Sequence, residues 1–217
     1  MATATRPHEQ LTGDGEAITY ELIDGVPVGR PVDELGGDAY AEAFEVVDGK
    51  ILEWPEMGTF PTEIAGIIHE FLAAFVRRER LGRSLVETQF QITPTKQRRP
   101  DVAFVPFSKW PKTRRTPNGI WNMIPDLAVE VVSQTDKAWE MMEKLREYFD
   151  AGVAAVWLVY PNLELVHVYS SFEQIEVVTR AGTLDGGAIV PGFRLPLVEL
   201  FEETDPEPPA GVDDEPA

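Results

Sequence analysis

The 217-residue chain contains no cysteine, which excludes disulfides, thiolate zinc sites and cysteine nucleophiles. Its three histidines, His8, His69 and His167, are far apart and lack metal-ligand spacing, so a histidine-rich zinc site is not expected. Any bound metal would therefore have oxygen ligands. The N-terminus has no signal-peptide pattern, and no apolar run approaches the roughly 20 residues of a membrane span. The sequence predicts a cytoplasmic protein without a membrane partner.

Basic residues are scarce, with 19 Lys and Arg against 37 Asp and Glu and a net charge of −18. This balance at first argues against a nucleic-acid partner, since phosphate contacts need a basic surface. However, the bases are concentrated between Arg77 and Arg115, where eleven bases face three acids. This segment surrounds Asp101, which favours a phosphate-facing role; solvated loop charge is the alternative. The candidate DNA contacts are Arg98, Arg99, Lys112, Arg114 and Arg115.

The chain is long enough for one substantial core, and 43% of its residues are hydrophobic. We expect an N-terminal extension over 1–40 and one domain over 41–202. Residues 203–217 hold six acids, four prolines and no base, a composition typical of a solvated, disordered tail.

The apolar spacing predicts one helix from Phe60 to about Arg80, ended by Gly82, and a second over 136–152 with Asp136 as its N-cap and Gly152 at its end. Asp48-Gly49 between alternating residues predicts a hairpin over 44–54. Further strands are predicted over 84–92, 101–107, 126–133, 153–161, 164–170 and 174–180. This order predicts an α/β sandwich around a mixed sheet.

Two of the predicted strands carry an acid. Glu130 is flanked by valines, and burying an unpaired carboxylate there would be costly, so it needs a metal or a partner cation. A structural ion pair with an arginine is the alternative for Glu130. Asp101 follows Pro100 at the start of its strand, where a turn or cap role is the alternative.

Several motifs follow one another in the order of a known family: YELIDG or FEVVDG, RRPDVAFVP, PDLAVEVVSQTD, KLREYFDAGVAAVWLVYP and GTLDGGAIVPGFRLPLVELF. The chain resembles the Uma-two restriction endonuclease family of the PD-(D/E)XK nuclease superfamily over roughly residues 44–201. The resemblance implies a restriction-endonuclease-like αβββαβ core. The residue patterns add a mixed central sheet flanked by helices, an N-terminal β-hairpin and a C-terminal β-meander. It also implies magnesium-dependent cleavage of DNA by an endonuclease, with Mn²⁺ as an alternative ion.

The resemblance assigns roles to individual residues. Asp101 and Glu130 would hold the metal, with the backbone carbonyl of Val131 as a further ligand. Val131 and Val132 follow Glu130, so the strand lysine of the superfamily pattern is missing. The resemblance implies that Lys144, on the following helix, replaces it; an exposed lysine paired with a nearby glutamate is the alternative.

Two further residues are weaker candidates for the site: Glu63 on the first helix and Gln89 on the strand before Asp101. For each, a solvated polar face is the alternative. Trp110 and Trp121 could stack on bases or belong to the core. A homodimer would suit double-strand cutting. The alternatives for function are a catalytically inactive nuclease-like domain that binds nucleic acid or a partner protein, and an acidic structural or dimerisation module.

Overall fold

The computed structural model describes residues 8–11, 17–23, 26–28, 44–47, 50–53 and 59–202, except 118, 134 and 135, with side chains from Phe60 onward. The predicted turn at Asp48-Gly49 and the acidic segment 203–217 lie outside the described residues. The predicted boundaries of the three regions stay predictions. Among the helices of the described residues, none is both long and apolar enough to cross a membrane.

The N-terminal part of the described chain consists of short antiparallel strands. β1 (His8–Leu11), β2 (Ala17–Ile23) and β3 (Val26–Val28) form one sheet in that order. β4 (Phe44–Val47) and β5 (Lys50–Glu53) form the hairpin that the sequence predicts. β4 also pairs with a later strand, so the hairpin is part of a four-stranded sheet.

The helix α1 (Thr59–Arg78) follows the helical period of the sequence. Its buried apolar positions include Ile64, Ile68, Leu72 and Val76. The predicted stop at Gly82 is wrong, because the helix ends earlier and Arg80 takes a left-handed φ of 57°. Gly82 is instead the first residue of the next strand, where a Cβ atom would overlap the carbonyl oxygen of Val105. A glycine is needed there for close packing of two strands rather than for a helix cap.

The central sheet has a mixed strand order. Its strands, in spatial order, are β13 (Gln174–Thr179), β12 (Leu165–Ser171), β11 (Ala155–Tyr160), β10 (Leu127–Val131), β9 (Val102–Pro106) and β6 (Gly82–Val86). β10 and β11 are parallel and the other neighbours are antiparallel. α2 (Ala138–Ala151) makes the crossover between the parallel pair. The order α1, β6, β9, β10, α2, β11 confirms the αβββαβ core, and β11 to β13 form the predicted meander.

The predicted strand over 84–92 is wrong, because two strands of different sheets divide it. β6 ends at Val86, and the chain turns at Glu87, which has a φ of 41°. β7 (Phe90–Thr93) then pairs with β8 (Lys96–Arg98) in the sheet that contains β4 and β5. Alternation of polar and apolar residues continues through the turn, since it depends on burial and not on which sheet a strand joins.

The sequence predicts the C-terminal end of α2 correctly but not its N-cap. The predicted N-cap Asp136 is wrong, since Lys137 occupies that position without a side-chain cap. Asp136 instead accepts a hydrogen bond from the Ser133 amide at 2.7 Å, which stabilises the turn before the helix. The predicted end at Gly152 is confirmed: this residue has a left-handed φ of 97°, a conformation that favours glycine.

The two long helices cover opposite faces of the central sheet. Leu72 of α1 packs in one apolar cluster with Val129, whereas Tyr148 of α2 packs in another with Ala128. All five residues of β10 are buried. Because side chains alternate along a strand, Ala128 and Glu130 face α2. The carboxylate of Glu130 therefore enters the layer between the sheet and α2.

The C-terminal part closes the side of the sheet that α1 covers. β14 (Thr183–Asp185) and β15 (Arg194–Pro196) form an antiparallel pair, followed by the short helix α3 (Leu197–Glu202). The apolar side chains Leu197, Leu200 and Phe201 join the same cluster as α1. This part of the molecule contributes packing to the face opposite Glu130.

Candidate active site

Two acids lie at one end of the central sheet: Glu130 on β10, and Asp101 directly before the first residue of β9. Val102 of β9 pairs with Val129 of β10, in antiparallel register. The next residues outward from this pair are Asp101 and Glu130, so they are on the same face, the one that α2 covers. Side chains at such neighbouring positions have Cβ atoms about 4.5 to 5.5 Å apart. Continued by one residue, this register places Asp101 opposite Glu130.

Asp101 is fixed by the backbone of the neighbouring strand. Its Oδ2 accepts a hydrogen bond from the Val131 amide at 2.6 Å. The next amide, of Val132, donates in the opposite direction, to the Val159 carbonyl oxygen of β11 at 2.8 Å. Because the N–H and C=O of one strand residue point to the same side, the Val131 carbonyl also points towards β9. Asp101 and the Val131 carbonyl thus lie on the same side of β10.

Glu130 is 4% exposed and is held by two residues of α2. Lys144 Nζ lies 2.8 Å from Glu130 Oε2, and the Tyr148 hydroxyl donates to Oε1 at 2.5 Å. Lys144 and Tyr148 are one helical turn apart, so both reach the carboxylate from the same side of α2. The structure therefore brings Lys144 to the buried strand acid.

The nearby glutamates of α2 have other partners. Glu140 pairs with Lys137 at 3.2 Å, and Glu147 pairs with Lys96 at 2.5 Å. Arg98 also donates to Glu147, through Nε at 2.7 Å. The sequence does not reveal the Glu147 cluster, because its members are about 50 residues apart in the chain and a helix meets a hairpin there. These contacts hold β8 against α2, next to Asp101.

The basic residues predicted to contact DNA lie in different environments. Arg98 is only 4% exposed and bound to Glu147, so the structure places it in the interior and not at an open surface. Arg99 is partly exposed and pairs with Glu87 at 2.6 Å. Lys112, Arg114 and Arg115 are exposed. The structure thus separates one structural arginine from three bases that face solvent.

The tryptophans of the basic loop belong to the core. Trp110 and Trp121 are 7% and 2% exposed, and their ring centroids are 4.8 Å apart. Phe90 packs in the same cluster, and the Arg114 guanidinium lies 3.7 Å from the centre of the Trp110 ring. Of the two alternatives for these rings, the structure supports the core.

The two weaker candidates lie apart from the Glu130 contacts. Glu63 is exposed on α1, which covers the opposite face of the sheet. Gln89 donates to Gln97 Oε1 at 2.9 Å, and Gln97 in turn donates to Gln91 Oε1 at 2.9 Å. These three glutamines connect the β7–β8 hairpin to the segment before it. Gln97 is nearly buried, and only the pairing of the two strands reveals its partners.

The donor set fits a small hard cation. In the described part of the chain, no group of three or more His, Asp or Glu residues is placed to hold a metal. Mg²⁺ is commonly bound by one or two carboxylates, with water and substrate phosphate completing its shell. Asp101 and Glu130 supply two carboxylates, and the Val131 carbonyl points to the same side of β10. These residues are compatible with such an ion.

An αβββαβ core with an aspartate directly before one central strand and a glutamate on the adjacent strand defines a restriction-endonuclease-like protein. Residues 34–198 match the Uma2 family model, which carries the description "Putative restriction endonuclease". The chain belongs to the Uma2 family.

A solved structure has the same fold. It is the 1.96 Å crystal structure of a "putative nuclease belonging to DUF820" from Anabaena variabilis ATCC 29413. The TM-score is 0.66 at 21% identity, and the match covers 80% of this chain and 98% of the other. At this identity the likeness concerns the fold alone. No curated protein matches the chain.

Proposed function

We propose that the chain is a metal-dependent endodeoxyribonuclease that hydrolyses phosphodiester bonds of DNA. The observation that carries the proposal is the convergence of Asp101, Glu130 and Lys144 at one end of the sheet. Membership of the Uma2 family, and the fold shared with the structure titled "putative nuclease belonging to DUF820", support a nuclease at the coarse level. Such a cluster provides oxygen ligands and a cation close together, which is what phosphodiester hydrolysis requires.

The metal ligands would be the carboxylates of Asp101 and Glu130 and the carbonyl oxygen of Val131. Mg²⁺, or Mn²⁺ in its place, would supply charge to the phosphoryl oxygens and lower the pKa of a bound water. The hydrogen bond from the Val131 amide holds Asp101 in one orientation before the ion binds. The protein therefore orders this ligand through its backbone.

Lys144 would act on the attacking water or on the phosphate. Its ammonium group has three donors, and one of them is directed at Glu130 Oε2. The side chain is 13% exposed, so its charge acts in a poorly hydrated environment where it is worth more than in bulk water. It would orient the water or stabilise negative charge on the phosphoryl oxygens, in place of the missing strand lysine.

DNA would be held by the exposed bases of the loop after β9. Lys112, Arg114 and Arg115 present positive charge to solvent in a chain of net charge −18. Phosphate contacts of this kind position a duplex without reading its sequence. Arg99, whose charge is shared with Glu87, would contribute less.

The test is nicking of supercoiled plasmid in the presence of Mg²⁺. We expect Asp101→Asn, Glu130→Gln and Lys144→Met each to lower the rate by about 100-fold or more, as for removal of a group that stabilises a transition state. Glu143→Gln is the matched control, since Glu143 is an exposed acid beside Lys144 on α2. Titration with Mg²⁺ by calorimetry should detect binding that Asp101→Asn and Glu130→Gln abolish.

A second candidate is a nuclease-like domain that binds nucleic acid or a partner protein without cleaving DNA. The observation that favours it is Val132 at the position where the superfamily has its strand lysine. This function predicts wild-type protein that binds DNA but neither binds Mg²⁺ nor nicks the plasmid. The same assays therefore decide between the two. A homodimer stays a prediction, which sedimentation of the intact chain would check.

A further inference from the structure

Tyr148 has a polar contact that its place in the core does not require. Its ring is 1% exposed and packs with Leu145, Val156 and Ala128 beneath α2. A phenylalanine ring would fill the same space, since the two side chains differ only in the hydroxyl group. That hydroxyl donates to Glu130 Oε1 at 2.5 Å.

The two oxygens of Glu130 are held by different residues. Tyr148 donates to Oε1 and Lys144 to Oε2. The last torsion of a glutamate side chain is broad and poorly restrained by itself. Rotation about that bond would break at least one of the two contacts, so together they fix the plane of the carboxylate. Each donor restrains a different oxygen, so loss of one donor removes the restraint on that oxygen.

We propose that Tyr148 is a positioning residue, which orients the carboxylate of Glu130 as a metal ligand and keeps Lys144 on the other oxygen. The inference rests on the proposed function. Outer partners of metal ligands commonly contribute about 10-fold to 100-fold to metal affinity. In this role the hydroxyl acts through Glu130 and not by direct contact with metal or substrate.

Because Tyr148 holds Oε1 of Glu130, the ammonium group of Lys144 is confined to Oε2. Without the hydroxyl, the ammonium of Lys144 can move to bridge both oxygens of Glu130, because it is attached to a flexible stem with three donors. A bridging ammonium would compete with the metal for the carboxylate and would withdraw from the phosphate. Loss of the hydroxyl is therefore expected to weaken metal binding and slow the chemical step, while DNA binding stays intact.

The experiment compares Tyr148→Phe with Tyr169→Phe. Tyr169 is 8% exposed and belongs to the same apolar cluster, so the control removes a hydroxyl from the same layer of the core. Mn²⁺ affinity is measured by electron paramagnetic resonance, and kcat and KM by plasmid nicking. We expect Tyr148→Phe to bind Mn²⁺ about 10-fold more weakly or worse and to lower kcat, with KM for DNA unchanged. Tyr169→Phe should match wild type in all three quantities.

A rescue variant separates positioning from packing. Replacement of Tyr148 by para-aminophenylalanine keeps the ring and restores an N–H donor, so its Mn²⁺ affinity should exceed that of Tyr148→Phe. An affinity no better than that of Tyr148→Phe would overturn the proposal.

Two other results would overturn the role of Tyr148, and they differ in what they say about the proposed nuclease. If Tyr148→Phe keeps wild-type Mn²⁺ affinity and kcat and loses only melting temperature, the hydroxyl is structural, although the proposed nuclease stands. If wild type neither binds Mn²⁺ nor nicks DNA, the proposed function fails and the role of Tyr148 fails with it.

Discussion

Lys144 on α2 and Glu130 on β10 form a buried ion pair across 2.8 Å, with side chains that are 13% and 5% exposed. Removing two charges from water costs several kcal/mol per ion, so such a pair contributes little net stability. Removing only one partner leaves a buried charge without its counterion, which is far more costly. Stability alone therefore does not account for this ion pair, whereas a functional site that needs both charges does.

Glu130→Gln should lower the free energy of unfolding by about 3 kcal/mol, because Lys144 then loses its charged partner inside the protein. Combining Glu130→Gln with Lys144→Met should recover much of this loss, since both buried charges are gone, while nicking stays abolished. Urea unfolding of the two single variants and the double variant measures the effect. Additive losses would contradict a coupled pair.

The exposed and buried bases should differ in the salt dependence of DNA binding. In a plot of the logarithm of DNA affinity against the logarithm of salt concentration, each phosphate contact contributes about 0.9 to the magnitude of the slope. Lys112→Ala, Arg114→Ala or Arg115→Ala should each reduce the slope by about that amount. Fluorescence anisotropy of a labelled duplex without divalent metal provides the measurement.

Arg98→Met is the comparison, because Arg98 is buried against Glu147. We expect it to lower stability by about 3 kcal/mol, as for one partner of a buried pair, and to leave the salt slope unchanged. A reduced slope for Arg98→Met would show that Arg98 meets phosphate after all.

Gly82→Ala should destabilise the protein by about 2 to 3 kcal/mol, as expected for overpacking. A Cβ atom at this position would overlap the Val105 carbonyl oxygen and come within 2.6 Å of the Phe104 ring. Gly66→Ala is the matched control on α1, where nothing lies within 4 Å of the new atom. It should stabilise the helix by about 0.5 to 1 kcal/mol. Thermal and urea unfolding compare the two, and equal effects would contradict the close approach of β6 and β9.

Stability should fall as the pH decreases through the range in which histidine titrates. Burial lowers the pKa of His69, with Arg77 adding to the effect and Glu70 opposing it, and burial also lowers the pKa of His167. The unfolded chain therefore binds more protons than the native state, beginning near pH 6.5. The loss begins as the pH falls through about 6.5 and is complete below the lowered folded pKa values.

Urea unfolding at about pH 7.5 and about pH 5.5 measures this loss, since most carboxyl groups titrate below that window. His69→Asn and His167→Asn should each reduce the difference between the two pH values. A wild-type free energy that rises towards pH 5.5 would contradict the lowered pKa values.

Local sequence patterns predicted the elements but not all of their partners. The apolar run around Glu130 predicted a buried strand, and Gly152 predicted the end of α2, because both depend on neighbouring residues. The turn at Glu87 cannot be predicted from the sequence pattern, since a single residue with positive φ leaves no periodic signal. The sequence does not determine the partner of Lys144, because Glu140 and Glu147 are also within reach on the same helix.

The sequence by itself determined the chemistry that is available: oxygen ligands instead of thiolates or clustered histidines, and acids embedded in apolar strands. Tertiary structure alone decided how these groups are used. Arg98 and Arg114 belong to the same basic segment, yet one is buried against Glu147 and the other is exposed. The physical reason is that burial and pairing depend on distant segments packing together, and only the crossover by α2 brings Lys144 and Tyr148 onto Glu130.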